Sequence, residues 1–247
     1  MPSADYTRYR SSRFVRRRPL MSPGQHAPGC GGAGSERFSW GWFVRKALAL
    51  VILAGIALFL YACWTFGYGY YRAKVGQGEL RSLFSFTGDG SVDAGYVRGE
   101  AEAIAAGLAY LDPVGEISIP SINCDWMIVE GSDDGALSRG PGHIQETQLP
   151  GMGGNFAVAG DRVLYGAPFL DLDDVVVGDE VTVRMPYATF VYRVNETFIV
   201  TPDDTSVLRP VGYDAITLLT CDPPWDVKQR IVVRGELTDI LPAGTGA

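Results

Sequence analysis

Apolar and polar positions divide the 247-residue chain into unlike stretches. Residues 1–39 are rich in Arg, Ser, Gly and Pro and carry no sustained apolar period. With the basic residues up to 46 they predict a disordered tail. Ala47 to Phe66, ALALVILAGIALFLYACWTF, is then twenty residues without a charge. That is the length of a membrane-spanning helix. Arg45 and Lys46 flank its start, and Trp40, Trp42, Trp64, Tyr68, Tyr70 and Tyr71 lie near its two ends, as an aromatic belt would. The run is too long, and starts too far from Met1, for a cleaved signal peptide. The alternative is a buried helix of a soluble protein. Residues 67–113 read as a stem, Gly- and Ser-rich around Thr87–Ser91, with one helix near Val97 to Leu111. Its alanine-rich sequence places Glu100 and Glu102 in the first turns. From residue 114 to 239 the pattern changes to short alternating runs broken by Gly, Pro and Asp. Candidate strands are 116–119, 126–129, 155–159, 180–184, 189–194, 198–201, 215–220 and 231–237. This spacing predicts an all-β barrel or sandwich and not βαβ units. Residues 240–247 read as a flexible end.

Charge sharpens this division. The formal net charge is -7, but residues 1–46 hold nine basic and two acidic residues, net +7, while residues 67–247 hold twelve basic and twenty-six acidic ones, net -14. Basic flanks stay in the cytoplasm, which predicts a single-pass protein with its N-terminus inside and its folded part outside. Arg16, Arg17 and Arg18 suit anionic lipid. No aromatic-interleaved basic surface follows them, so a lipid bilayer and not nucleic acid is the expected partner. The four cysteines, Cys30, Cys63, Cys124 and Cys221, form no CxxC pair. No zinc site, other metal or cofactor is expected. The acidic run Asp171, Asp173, Asp174, Asp179 and Glu180 lacks the spacing of a calcium loop and reads as a solvated turn.

The chemistry concentrates near the C-terminal end. In Leu218-Leu219-Thr220-Cys221-Asp222-Pro223-Pro224-Trp225 a cysteine ends an apolar run, and Arg230 opens the next one nine residues later. Two prolines between them force a loop. One thiol and one guanidinium at the mouths of neighbouring strands suit a cysteine nucleophile with a cationic partner. The alternative is a buried structural cysteine and a surface arginine. Cys124 reads as a small buried hydrophobe in a strand, although a disulfide between Cys124 and Cys221 is a further option.

Taken in order, these segments resemble the sortase family, specifically its actinobacterial class E. The resemblance is carried by Ile117-Ser118-Ile119-Pro120, Val129-Glu130-Gly131, Gly140-Pro141-Gly142-His143, Leu149-Pro150-Gly151, Asn155 to Gly160, Arg162 with Tyr165 to Phe169, Thr220 to Pro224, and Arg230 to Val233. It covers about residues 115–237. It implies an eight-stranded β-barrel behind one transmembrane helix and a short helical stem. It also implies a thiol-dependent transpeptidase that cuts a Leu-Pro/Ala-x-Thr-Gly sorting motif and joins surface proteins to a cell-wall amine. Cys221 then matches the nucleophile and Arg230 the arginine that holds substrate or oxyanion. Thr220, Tyr165, Trp225 and His143 are candidates for lining the peptide groove; Tyr165 and Trp225 are equally read as packing residues, and His143 as a hydrogen-bonded structural one.

One position departs from the pattern. The family's histidine directly follows Ala-Gly and precedes Arg, and that position here is Asp161, in Ala159-Gly160-Asp161-Arg162. An imidazole serves both proton steps of acyl transfer because it titrates near neutrality. Carboxylates as a class hold no proton to give at pH 7. A carboxylate also disfavours a nearby thiolate and invites Arg230 into an ion pair. Three readings follow: an impaired or inactive sortase that still binds peptide; an active one rerouted through a carboxyl group or His143; and a single-base change in a working enzyme. A non-catalytic peptide-binding or assembly module, and a hydrolase that releases peptide to water, are the rivals.

Overall fold

The computed structural model describes residues 40–88, 90–226 and 228–244. The expected tail over residues 1–39 lies outside them. The chain divides into two units, Met1–Leu50 and Val51–Ala247. The first unit's described residues, 40–50, are helical.

Helix α1 is continuous over Trp40–Leu83. It is long and apolar enough to cross a membrane, with a mean hydropathy of 2.4 over its best window and none of that window buried. The helix neither starts at Ala47 nor stops at Phe66. It continues through Gly67, Gly69, Gly76 and Gly78, each of which costs roughly 1 kcal/mol against alanine. Packing outweighs that cost. Ala73, Gln77 and Leu80, spaced along one helical face, are buried against the barrel. The amide of Gln77 accepts from Met127 N at 2.6 Å and donates to Met127 O at 3.1 Å, pairing with the strand's edge as a neighbouring strand would. It also donates to Arg139 O.

Helix α2 spans Ala94–Gly107, a few residues ahead of the expected position. Asp93 starts it by accepting from Gly95 N and Tyr96 N. Val97 and Ala101, one turn apart, are its buried face. A single-turn helix, α3, covers Asp134–Leu137.

Eight strands close into a barrel: β1 Pro113–Ile119, β2 Cys124–Glu130, β3 Gly142–His143, β4 Asn155–Ala159, β5 Glu180–Arg184, β6 Ala188–Val200, β7 Ala215–Asp222 and β8 Gln229–Pro242. The order around it is β1-β2-β3-β4-β7-β8-β6-β5, and β5 pairs back onto β1. β2 with β3, and β4 with β7, are parallel; the other pairs are antiparallel. Inward residues such as Ile117, Phe156, Val158, Phe190, Leu218 and Val233 form the core.

Three strands, β6, β3 and β8, depart most from the pattern-based expectation. The expected strands 189–194 and 198–201 fall, up to Val200, in one strand, β6, because register shifts at Val191/Tyr192 and Val194/Glu196 absorb the polar Asn195-Glu196 interruption while pairing with β8 continues. β3 is two residues long and shows no periodicity to detect. β8 runs on to Pro242, with Phe190 facing Ile240, so the first part of the expected flexible end is paired strand.

Candidate active site

β7 and β8 are antiparallel neighbours, and their register sets Cys221 directly opposite Arg230. Arg230 Nη1 donates to Cys221 Sγ at 3.0 Å. Both residues are half-buried and line a cleft of about 250 Å³ whose other walls include Thr220, Gly160, Ile144 and Val207. The cleft is open, which suits an extended chain better than an enclosed small molecule. Thr220 is buried and donates through Oγ1 to Gly160 O at 2.9 Å, tying the sulfur-bearing end of β7 to the end of β4. Asp204 lies on the rim, its carboxyl held below the usual range by the Ser206 hydroxyl and backbone amide.

The β4 end feeds the loop 161–170 through Gly160. A Cβ there would sit 2.2 Å from the Phe169 ring, so only glycine allows this approach. Asp161 turns inward on its own loop. Its Oδ1 accepts from Val163 N and Leu164 N, both at 2.8 Å, and its carbonyl accepts from Phe169 N. The expected pairing of Arg230 with Asp161 is not the geometry found: the guanidinium is aimed at the sulfur, and the carboxylate is held by its two amides.

Arg162 is the organiser that sequence reasoning passed over, naming it only as part of a motif. Its buried guanidinium donates to Asp222 Oδ1 at 2.8 Å, Cys221 O at 3.3 Å and Leu170 O at 3.1 Å, and pairs with Asp173 Oδ2 at 2.5 Å. It therefore clamps the 161–170 loop to the backbone of Cys221. The acidic run expected as a solvated turn contributes one partner, Asp173, from the short 3-10 turn Leu172–Asp174. An arginine amid glycine and apolar residues, followed by a cluster of aspartates, was the available clue.

The remaining candidates lie elsewhere. His143 is 3% exposed and does not line the cleft. Its Nδ1 is 2.7 Å from Glu130 Oε2, its Nε2 is 3.2 Å from Thr147 Oγ1, and its ring stacks on Phe156. Thr147 gives its hydroxyl proton to Ile144 O and accepts from Ala157 N, so Nε2 is the donor in the remaining bond. Both ring nitrogens are thus committed to the barrel's interior, which separates His143 from peptide. Tyr165, at φ 51°, faces a different cleft, beside α1. Trp225, also left-handed at φ 72° and 71% exposed, stands in the loop between β7 and β8. Cys124 is buried in β2, and burial pushes its thiol up to about 12. Cys124 and Cys221 are both free thiols, not a disulfide. Among the described residues, no three His, Cys, Asp or Glu side chains converge to hold a metal ion.

A thiol touching a fixed cation in an open groove can attack a carbonyl and hold the charge that develops on its oxygen. Known proteins resemble this domain. Residues 117–238 match the sortase domain. Sortase A of Bacillus anthracis is 33% identical over 138 residues, which are 56% of this chain and 65% of that protein. The chain thus spans just under two thirds of that relative's length, and 42% of the Streptomyces coelicolor sortase SrtE1. The structure of sortase E from Streptomyces avermitilis is 32% identical with a TM-score of 0.51, covering 56% of this chain and 97% of that one. Sortase E1 from Streptomyces coelicolor, solved with a tripeptide in its active site, is 32% identical with a TM-score of 0.50, covering 53% of this chain and 90% of that one.

Proposed function

Because this chain belongs to the sortase family, with its sortase domain at residues 117–238, we propose that it is a membrane-anchored cysteine transpeptidase of class E type, slowed by Asp161. The observation that carries the reading is the 3.0 Å contact between Arg230 Nη1 and Cys221 Sγ in an open cleft. The substrate is the sorting motif of a secreted surface protein, of the Leu-Pro/Ala-x-Thr-Gly kind, laid as an extended strand along the cleft. A tripeptide in the active site of the Streptomyces coelicolor relative supports an extended peptide as occupant.

The sulfur of Cys221 attacks the threonine carbonyl, a carbon–sulfur bond forms, and negative charge builds on the oxygen. Arg230, whose guanidinium already touches the sulfur, meets that charge with a fixed cation. The carbon–nitrogen bond to glycine then breaks and the amine departs with a proton. A cell-wall amine attacks the thioester, a new amide bond forms, the carbon–sulfur bond breaks, and the sulfur is restored. Where the family carries an imidazole for the two proton transfers, this chain has Asp161, whose Oδ1 is occupied by two backbone amides. Without an imidazole there the protons pass to and from water, which forfeits about 10²- to 10⁴-fold in rate. The apolar helix α1 holds the domain at the membrane, with the basic N-terminal side inside the cell and the barrel outside.

The occupied carboxylate also favours a second reading, a peptide-binding or assembly module that no longer turns over. Both are tested with a quenched sorting-motif peptide and an amine acceptor. Slow formation of the joined product, abolished by Cys221→Ala, supports the transpeptidase. Peptide binding with neither a thioester nor product supports the module. No binding at all sinks both.

A further inference from the structure

A second cleft, of about 450 Å³, opens between α1 and the loop 161–170, and none of its lining residues borders the Cys221 cleft. Thr65, Gly69 and Tyr70 form one wall; Leu164, Tyr165 and Leu170 form much of the other. Leu164 and Leu170 are 43% and 47% exposed and stand together on this wall. Gly69 has nothing within 4 Å of where a Cβ would stand, so the helix carries a notch there.

Position gives the cleft its meaning. Thr65 is the second-last residue of the uncharged run Ala47–Phe66, so this wall begins where the helix would leave hydrocarbon. The loop is built to reach that level. Gly166 packs on Trp126 and Ala73, two turns beyond Thr65, and Tyr165, Gly166 and Ala167 are all left-handed, with φ of 51°, 86° and 49°. Two of those three are not glycine, and holding them there costs of order 1 kcal/mol each. Beyond Tyr70 the surface becomes polar. A neighbouring hollow of about 220 Å³ shares Tyr70 and Leu170 and adds Lys74, Asn123 and Asp171. Lys74 Nζ stands 5.9 Å from the Tyr70 ring and 5.2 Å from the Trp126 ring. Along α1 the order is therefore apolar span, apolar cleft, aromatic ring, ammonium, which is the order of a phospholipid from acyl chain to phosphate.

We propose that this cleft takes an acyl chain of a bilayer phospholipid with its phosphate beside Lys74, so that the loop 161–170 docks on the membrane surface. The inference rests on α1 being the membrane anchor. It connects the bilayer to the reactive sulfur, because the same loop carries Arg162, whose guanidinium holds the Cys221 carbonyl.

The test uses the full chain in phosphatidylglycerol nanodiscs containing a trace of phospholipid with a photoactivatable diazirine on its acyl chain. After illumination, adducts are mapped by mass spectrometry. The expected result is labelling of residues 163–170 as well as of 47–66, with Leu164→Asp/Leu170→Asp losing the loop adducts and keeping those of the span. Lys74→Glu lowers the loop yield severalfold. Labelling confined to the span, or loop labelling indifferent to the three substitutions, overturns the proposal while leaving the anchor in place. A span that takes no label overturns the anchor and the proposal together.

Discussion

Replacing Asp161 by histidine should move stability and activity in opposite directions. The carboxylate accepts two backbone hydrogen bonds at 2.8 Å, from Val163 and Leu164, in the manner of a helix cap. Losing a cap of this kind costs about 1 kcal/mol. In a domain of this size that lowers Tm by roughly 2–4 °C. On the proposed reading, in which residue 161 stands where the family carries its acid and base, the same change supplies an imidazole there, which is worth about 10²- to 10⁴-fold in transpeptidation. Asp161→Asn separates the two effects: its carbonyl oxygen still accepts both amides, so stability stays within about 0.5 kcal/mol, and it offers no useful proton. Thermal denaturation and a quenched-peptide assay with an amine acceptor, run on all three proteins, read both quantities. A histidine variant with the lower Tm but no gain in rate would refute the assignment of residue 161. So would an unaltered protein, or an asparagine variant, that turns over as fast as the histidine one.

Other outcomes follow from the same geometry. Arg162→Ala should cost about 3 kcal/mol in chemical denaturation, because it strips a buried clamp from Asp222, Asp173 and the Cys221 carbonyl; Arg162→Lys should recover little, since an ammonium cannot reproduce the fork. His143→Ala should cost about 3–5 kcal/mol by leaving Glu130 buried and unpaired, with Glu130→Gln in the same chain recovering part of it, and the residual peptide turnover of the folded fraction should be unchanged. The Tyr110 hydroxyl, 2.6 Å from Asp133 Oδ1, holds that carboxyl below its usual range, followed in effect by the Ala136 amide. A depressed carboxyl contributes stability above its unfolded value of about 3.9 and loses it as pH falls through the folded one. Tyr110→Phe should therefore move the Asp133 titration upward in a carboxyl NMR experiment, and an unmoved titration would remove Tyr110 as its cause.

Much of this architecture was legible because it depends on local chemistry. Twenty uncharged residues announce α1, and alternation announces the longer strands, β4 and β5 to the residue. The thiol and guanidinium were placed at adjacent strand mouths by the apolar runs that end at Cys221 and open at Arg230, with Pro223 and Pro224 forcing the loop between. What escaped depends on contacts distant in sequence. The glycines of the stem argued for a break, and only the burial of Ala73, Gln77 and Leu80 on the barrel overrides them. β3 exists through its two neighbours and has no pattern of its own. The direction of the Asp161 side chain is set by two loop amides, so the electrostatic argument for a pair with Arg230 chose the wrong competitor. His143 was readable as a hydrogen-bonded structural residue, but its partners Glu130 and Thr147 were not. Tyr165 belongs to a wall facing α1 because three left-handed residues bend the loop there.

The central claim is that the Cys221 sulfur, touched by Arg230, receives a peptide acyl group from the open cleft. The direct measurement is covalent trapping with a sorting-motif peptide whose Thr–Gly bond is replaced by a thiol-reactive ketone, beside a scrambled peptide, with the modified residue located by mass spectrometry. The account predicts motif-dependent labelling at Cys221, slower in Arg230→Ala and absent in Cys221→Ala, with Cys124 spared because burial pushes its thiol up to about 12. Labelling of Cys124 at a comparable rate, or labelling of Cys221 that ignores both the motif and Arg230, would contradict it.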